Sequence, residues 1–263
     1  IKGEGQVSET IQLPISDERS QVLLKEGRSE EGKLAIPKRV LEDNLLEFEL
    51  LNESEVAKPG IGKVMFLATR AYSLTATAVP MLATLAFGWM SGWEITPLYA
   101  VLAFLVGLFF QLSVNVFNDY ADQMRLIDLP GTLGGSQVIQ KGWISANSMR
   151  KLGWGFIAVA VLLGLPIVFR EPRLLLIVGA IGFLGTLSYS GGPLSAKYRA
   201  LGDLLVFVMC GPALTIGYAV SAFGMFSKEI VVMGGVFGFL AMAILHANNM
   251  QDIPVDEGRG AKT

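Results

Sequence analysis

Six long apolar runs fill most of residues 64–263 and decide what kind of fold this chain can form. A helix needs about 20 consecutive apolar residues to cross the hydrocarbon core of a bilayer. Residues 1–63 differ in kind, because they contain 22 of the 44 Asp, Glu, Lys and Arg residues of the chain. The sequence therefore predicts an all-α bundle of membrane-spanning helices preceded by a short polar segment. The six runs are residues 64–90, 97–117, 149–169, 174–189, 204–223 and 230–247.

The composition excludes several classes of protein. Hydrophobic residues make up 52% of the 263 residues and charged residues 17%, which is too apolar for an ordinary soluble enzyme or a disordered chain. The formal net charge is −2 and no basic face is visible, so we expect no nucleic-acid partner. The single cysteine, Cys210, cannot form a disulfide within one chain. No pattern in the sequence indicates the oligomeric state.

The loops between the runs carry an asymmetric distribution of positive charge. A long polar loop, residues 118–148, joins the second run to the third, and the basic residues concentrate on its side of the bundle. Cytoplasmic loops of membrane proteins are enriched in Lys and Arg. We therefore predict an inner (cytoplasmic) membrane protein whose long loops and N-terminal segment face the cytoplasm. The basic residues on that side are Arg125, Lys141, Arg150, Lys151, Lys197, Arg199, Arg259 and Lys262, against Arg170, Arg173 and Lys228 on the other.

The polar N-terminal segment has weak patterns of its own. Apolar residues alternate with polar ones at 11–15 and at 46–50, which predicts two short strands, and residues 16–27 have the capping residues of a helix. This is too little material for an independent core. We assign residues 1–60 to this segment, with the tail of a preceding soluble domain as one interpretation, and residues 61–263 to the membrane domain.

Two sets of acidic and amide residues lie at the ends of the second and sixth runs. Asn115, Asp119 and Asp122 are spaced i, i+4 and i+7, which puts them on one face of a helix, with Asn118 and Asp128 nearby. Asn248, Asp252 and Asp256 repeat at i, i+4 and i+8, and we expect Pro254 to break the last turn. Like charges this close repel unless a cation lies between them. Oxygen ligands without chelating His or Cys indicate Mg²⁺, which could hold a diphosphate between the two sets.

Basic and aromatic residues accompany the acidic sets. The glycine-containing loop 134–142 could contact phosphate oxygens through its backbone amides and Lys141. Lys197 and Arg199 could neutralise a leaving diphosphate, or serve only as anchors at the membrane surface. Tyr189 could face a developing cation. We interpret His246 as a hydrogen-bonded packing residue rather than a base.

At these positions the sequence resembles the UbiA superfamily of intramembrane prenyltransferases. The resemblance rests on Asn118-Asp119-x-x-Asp122, followed by Asp128, and on Asn249-x-x-Asp252-x-x-x-Asp256 with a trailing Gly260-x-Lys262-Thr263. It implies an all-helical fold of nine spans around a cavity open to lipid, so the chain would be C-terminally truncated, with six of nine spans. It also implies that Asp119, Asp122, Asp252 and Asp256 bind a polyprenyl diphosphate through Mg²⁺, supported by Asn115, Asn118 and Asn249.

Within that superfamily, residues 135–142 most resemble the branch that prenylates 1,4-dihydroxy-2-naphthoate in menaquinone synthesis. Residues 189–194 also resemble the chlorophyll-synthase and homogentisate branches, so acceptors of the 4-hydroxybenzoate, homogentisate or chlorophyllide type remain alternatives. Gln137 and Gln251 stand where arginine is common, which removes two candidate diphosphate contacts. A transporter fragment is a further alternative, because intramembrane carboxylates also serve ion pathways. The prenyl chain length cannot be predicted.

Overall fold

The protein is described here by a computed structural model covering residues 9–130, 134–190 and 201–257, with side chains for all of these except 190, 248, 249 and 251–257. The chain divides into two compact units. The first comprises Ile1–Ala68 and Asp119–Lys151, and the second comprises Thr69–Asn118 and Leu152–Thr263.

A three-stranded antiparallel sheet forms the centre of the first unit. It consists of β1 (Glu9–Pro14), β2 (Leu34–Val40) and β3 (Leu45–Leu51) in the order β1-β3-β2. Helix α1 (Glu18–Glu26) follows β1, and α2 (Ile61–Ala68) follows the sheet. The two predicted strands and the helix between them are confirmed, with Asp17 accepting the Arg19 amide at the start of α1 and Gly27 ending it at φ +67°.

β2 is an additional strand that the alternation rule does not detect. Its first four residues, Leu34 to Pro37, are all buried, and its last three are exposed. The buried and exposed residues of β2 form two blocks and do not alternate. Its apolar residues therefore lack the alternating pattern by which a strand is recognised in a sequence. Strand β3 does alternate, and its Leu46, Phe48 and Leu50 are buried.

The core of the first unit is completed by residues that follow far along the chain. Leu126 and Leu129, 7% and 4% exposed, belong to the same buried cluster as residues of the sheet and α1. The N-terminal segment therefore forms this core together with Leu126 and Leu129, and not from its own residues alone. The other buried members are Leu23, Leu24, Ala35, Leu46, Phe48 and Leu50.

The long apolar helices include six segments that are long and apolar enough to cross a membrane, in agreement with the six predicted runs. The bounds are α3 (Thr75–Met90), α4 (Pro97–Met124), α5 (Ala146–Val168), α6 (Pro172–Ser190), α7 (Gly202–Cys210), α8 (Pro212–Phe223) and α9 (Lys228–Glu257). Helix α4 extends through Asn118 into the first unit, and α5 begins in the first unit and continues into the second.

Three helix boundaries differ from the prediction. The first run is interrupted where Arg70 adopts a left-handed conformation (φ +47°), so its span begins at Ala71 instead of residue 64. The fifth run is two helices, α7 and α8, because Gly211 departs from helical geometry directly before Pro212, whose missing N–H suits the first position of α8. Helix α9 continues past Pro254 to Glu257, so the expected break there is wrong. A proline removes one hydrogen bond of a helix, and the bonds on either side can maintain it.

Candidate active site

The first carboxylate set lies on the last turns of α4, as the spacing predicts. Asn115, Asp119 and Asp122 are only 6%, 3% and 2% exposed, and Asn118 and Asp128 are also buried. Burying a carboxylate is costly unless hydrogen-bond donors or a cation compensate for the lost water. One such donor is present, because the backbone N–H of Ser136 lies 3.1 Å from Asp119 Oδ2. A purely structural role would not require several buried acidic residues at the end of an apolar helix.

The amide of Asn115 is oriented by three hydrogen bonds. Its Nδ2 donates to the carbonyl of Thr69 at 2.7 Å and to Ser73 Oγ at 2.8 Å, which uses both amide protons. Its Oδ1 accepts from Gln111 Nε2 at 3.2 Å. A carbonyl oxygen has a second lone pair, so Oδ1 is the one atom of this side chain that can still serve a ligand.

Gln111 is a further component of this network and was not among the predicted site residues. Its Oε1 accepts from Thr77 Oγ1 at 3.0 Å, and its Nε2 donates to Asn115, so it fixes the amide next to it. Gln111 stands four residues before Asn115 and therefore on the same face of α4. A glutamine inside an apolar span is unusual enough to have indicated it.

An apolar cavity of about 460 Å³ lies within the second unit. Its wall is formed by residues from α3 to α8, among them Met81, Phe110 and Val178. Gln111 and Thr77, the pair joined to Asn115, also line it, and they are two of its few polar groups. The cavity is large enough and apolar enough to accept part of a hydrocarbon chain.

The loop that contains residues 134–142 folds on itself and on the first carboxylate set. The amides of Lys141 and Gly142 donate to the carbonyls of Gln137 (3.1 Å) and Ile139 (2.9 Å), so these two amides already have acceptors. Gln140 Nε2 donates to Gln123 Oε1 at 2.9 Å, and Gln123 follows Asp122 directly on α4. The side chain of Lys141 is exposed, with Nζ 4.9 Å from the ring centroid of Trp143.

The remaining predicted residues are only partly within the described structure. Tyr189 is half-buried near the end of α6. The side chains of Asn249, Asp252 and Asp256 lie outside the described residues, although their backbone belongs to α9, and Lys197, Arg199 and Lys262 lie outside them entirely. His246 has a polar neighbour, Asp203, at 3.4 Å, but its side chain is 69% exposed, so it is not a buried packing residue.

The donor chemistry of the described set fits Mg²⁺. Asp119 and Asp122 offer carboxylate oxygens, and Asn115 and Asn118 offer amide oxygens, all of them hard ligands. Among the side chains that the structure describes, no group of three or more His, Cys, Asp or Glu residues could hold a metal ion. The helical backbone of α9 places residues 248, 252 and 256 on successive turns of that helix.

The chain is similar to known proteins over most of its length. The UbiA prenyltransferase family model matches residues 73–263. The chain is 29% identical to UbiA prenyltransferase domain-containing protein 1 of Dictyostelium discoideum, over 81% of this chain and 66% of that protein. It is 27% identical to 1,4-dihydroxy-2-naphthoate octaprenyltransferase of Bacillus subtilis, over 78% of this chain and 66% of that protein. For the Escherichia coli protein of the same name, identity is 28% over 68% of this chain and 59% of that protein.

No solved structure matches the chain significantly. The chain spans 59% to 66% of the length of these three curated relatives. The matched family region contains all six candidate spans except the first two residues of the first, and both acidic sets. The chain belongs to the UbiA prenyltransferase family of integral membrane proteins.

Proposed function

We propose that this protein transfers a polyprenyl group from its diphosphate to 1,4-dihydroxy-2-naphthoate, a step of menaquinone synthesis. The observation that carries the proposal is the buried face of α4, where Asn115, Asp119 and Asp122 occupy successive turns beyond an apolar span. Gln111, one turn earlier, belongs to the wall of the 460 Å³ apolar cavity. One helix therefore presents groups suited to a metal-bound diphosphate and, further along, groups suited to a hydrocarbon tail. Relatives named for the naphthoate substrate support this acceptor.

The proposed reaction separates charge in an apolar environment. Asp119, Asp122, Asp252 and Asp256 would hold Mg²⁺, which when bound neutralises charge on the diphosphate and makes it a better leaving group. Asn115, Asn118 and Asn249 support these ligands, and Lys141, Lys197, Arg199 and Lys262 contact diphosphate oxygens. The allylic C–O bond breaks, and the electron pair leaves with the diphosphate.

The apolar cavity wall then excludes water from the allylic cation, which would otherwise be hydrolysed. The ring of Tyr189 stabilises the positive charge through its π face. The electron-rich aromatic acceptor attacks the allylic carbon, and a carbon–carbon bond forms. With 1,4-dihydroxy-2-naphthoate, the ring carboxylate then leaves as CO₂ and its bonding electrons restore the aromatic ring.

The proposal includes a location. A polyprenyl diphosphate is itself a lipid, so it enters from the bilayer. The excess of Lys and Arg on one side supports a location of the carboxylate sets at the cytoplasmic surface of the inner membrane. The acceptor and the diphosphate group would then approach from the cytoplasm.

Release of the naphthoate's own carboxyl carbon as CO₂ reports transfer to this acceptor. We expect the full-length protein, given polyprenyl diphosphate and carboxyl-labelled 1,4-dihydroxy-2-naphthoate, to release one labelled CO₂ for each prenylated product. Parallel reactions with 4-hydroxybenzoate, homogentisate and chlorophyllide should give no product. Transfer to one of these acceptors and none to the naphthoate would show that the protein prenylates a different aromatic acceptor.

Gln111 provides a test of the polar network behind the carboxylates. Gln111→Leu keeps the approximate side-chain volume but removes the donor to Asn115 and the acceptor for Thr77, so Asn115 loses its fixed orientation. We expect kcat/KM for prenyl transfer to fall about tenfold, the usual effect of losing a residue that orients a ligand. Thr77→Val, which removes only the outer hydrogen bond, should have a smaller effect. Equal activities of Gln111→Leu and wild type would show that the network has no role in the reaction.

A further inference from the structure

The residues that directly follow the first carboxylate set along the chain pack in the core of the N-terminal sheet. Leu126 and Leu129 pack in one buried cluster with Leu46 and Phe48 of β3. Leu126 is only four residues beyond Asp122, and the backbone N–H of Ile127 donates to the carbonyl of Asp122 at 2.9 Å. The end of α4 is therefore held to the sheet immediately after its last carboxylate.

A second set of contacts holds the far side of the same loop. The indole N–H of Trp143 donates to the carbonyl of Ala57 at 3.1 Å, and Asn147 Nδ2 donates to Glu26 Oε1 at 3.1 Å. A Cβ on Gly142 would lie 3.3 Å from Cδ1 of Ile36, so this glycine lets the loop approach β2 closely. Residues before position 60 thus contact the loop at both of its ends.

Between these two sets of contacts, the loop touches the groups assigned to diphosphate binding. The Ser136 amide donates to Asp119, and Gln140 bonds to Gln123 beside Asp122. The ammonium of Lys141 lies over the ring of Trp143, whose indole N–H is bonded to Ala57. One chain of contacts therefore runs from the N-terminal segment through Trp143 to Lys141.

We propose that residues 9–57 are a positioning element for the diphosphate site. The sheet, α1 and the chain up to Ala57 hold residues 123–130 and 134–147 in place, so the Ser136 amide is fixed beside Asp119, and Lys141 over Trp143, before the diphosphate binds. Hydrogen-bond donors that are already fixed bind a diphosphate more tightly, because binding does not then cost the entropy of ordering the loop. The match to the family model begins at residue 73, so residues 9–57 lie outside it. The inference rests on the proposed function.

Two variants test the positioning role in the full-length protein in detergent. Leu129→Ala removes most of a loop side chain from the core of the sheet. Trp143→Phe removes the hydrogen bond to the Ala57 carbonyl but keeps an aromatic ring beneath the Lys141 ammonium. Ile230→Ala, which truncates a fully buried side chain at the start of α9, is the control. The readouts are hydrogen–deuterium exchange of peptides covering residues 134–145 and Mg²⁺-dependent binding of labelled geranylgeranyl diphosphate.

We expect faster exchange in residues 134–145 for both variants, with diphosphate affinity about tenfold lower for Leu129→Ala, and about threefold lower for Trp143→Phe, since it breaks one bond of several. The KM for the aromatic acceptor should change less than about twofold, and Ile230→Ala should match wild type in both readouts. Unchanged exchange, or faster exchange with unchanged diphosphate affinity, would overturn the positioning role. Wild-type protein that binds no diphosphate would instead refute the proposed function itself, because that result does not depend on the variants.

Discussion

Asp122→Asn is expected to lower the rate of prenyl transfer by at least about a hundredfold, the size of effect seen when one group that stabilises transition-state charge is removed. Asp122 is 2% exposed and lies one turn from Asp119 on the same face of α4. The substitution keeps the shape and one oxygen of the side chain but removes its charge. The loss should therefore fall on binding of the metal and stabilisation of the leaving diphosphate, not on folding.

The stability of the Asp122→Asn variant should not fall with its activity. Without divalent ions, two buried carboxylates on neighbouring turns repel, so the neutral Asn should leave thermal stability unchanged or raise it. Asp43→Asn, the same change at an exposed turn between β2 and β3, should alter neither activity nor stability. A parallel fall in stability and activity for Asp122→Asn would mean that Asp122 is a structural residue.

Gly211→Ala is expected to cause the largest loss of stability among single methyl additions to the described chain. A Cβ at this position would lie 2.5 Å from the carbonyl oxygen of Gly234 and 2.8 Å from the Cα of Gly238, and both are backbone atoms of α9. Backbone atoms of a packed helix cannot move aside as a flexible side chain can. Overpacking of this kind costs about 3 kcal/mol or more when the neighbours are rigid.

The neighbouring glycines of α9 supply a matched control for Gly211→Ala. Gly235 has no atom within 4 Å of an added Cβ, whereas Gly234 would meet Thr215 Oγ1 at 2.4 Å. Thermal unfolding in detergent should therefore show Gly235→Ala equal to wild type, Gly234→Ala destabilised and Gly211→Ala most destabilised. If the three variants unfolded at one temperature, close packing of α7 and α8 on α9 would not be a source of stability.

Hydropathy predicts the six spans because each is a property of about 20 residues taken together. The interruptions of the helices inside these spans depend on single residues, and hydropathy averaged over about 20 residues does not detect them. Arg70 in its left-handed conformation and Gly211 before Pro212 are two such cases. The strand β2 was missed for a related reason, because its apolar residues are consecutive and not alternating.

The first carboxylate set could be predicted because its helical spacing and its cost inside a membrane are both visible in the sequence. Its surroundings could not. In the sequence, Leu126 and Leu129 have no feature that separates them from other loop residues. In the structure they belong to the core of a sheet whose residues lie about 80 to 100 positions earlier. Gln111 carried a local signal, since one polar side chain in an apolar span is conspicuous, but its bonds to Thr77 and Asn115 depend on the fold.

The most direct measurement is prenyl transfer by the full-length protein in membranes, with labelled polyprenyl diphosphate, Mg²⁺ and 1,4-dihydroxy-2-naphthoate. The account predicts prenylated naphthol from the wild type, and none when Mg²⁺ is chelated or when Asp122 is replaced by Asn. Transfer that survives Asp122→Asn at the wild-type rate would contradict the central claim, because the buried carboxylates of α4 would then have no part in the reaction.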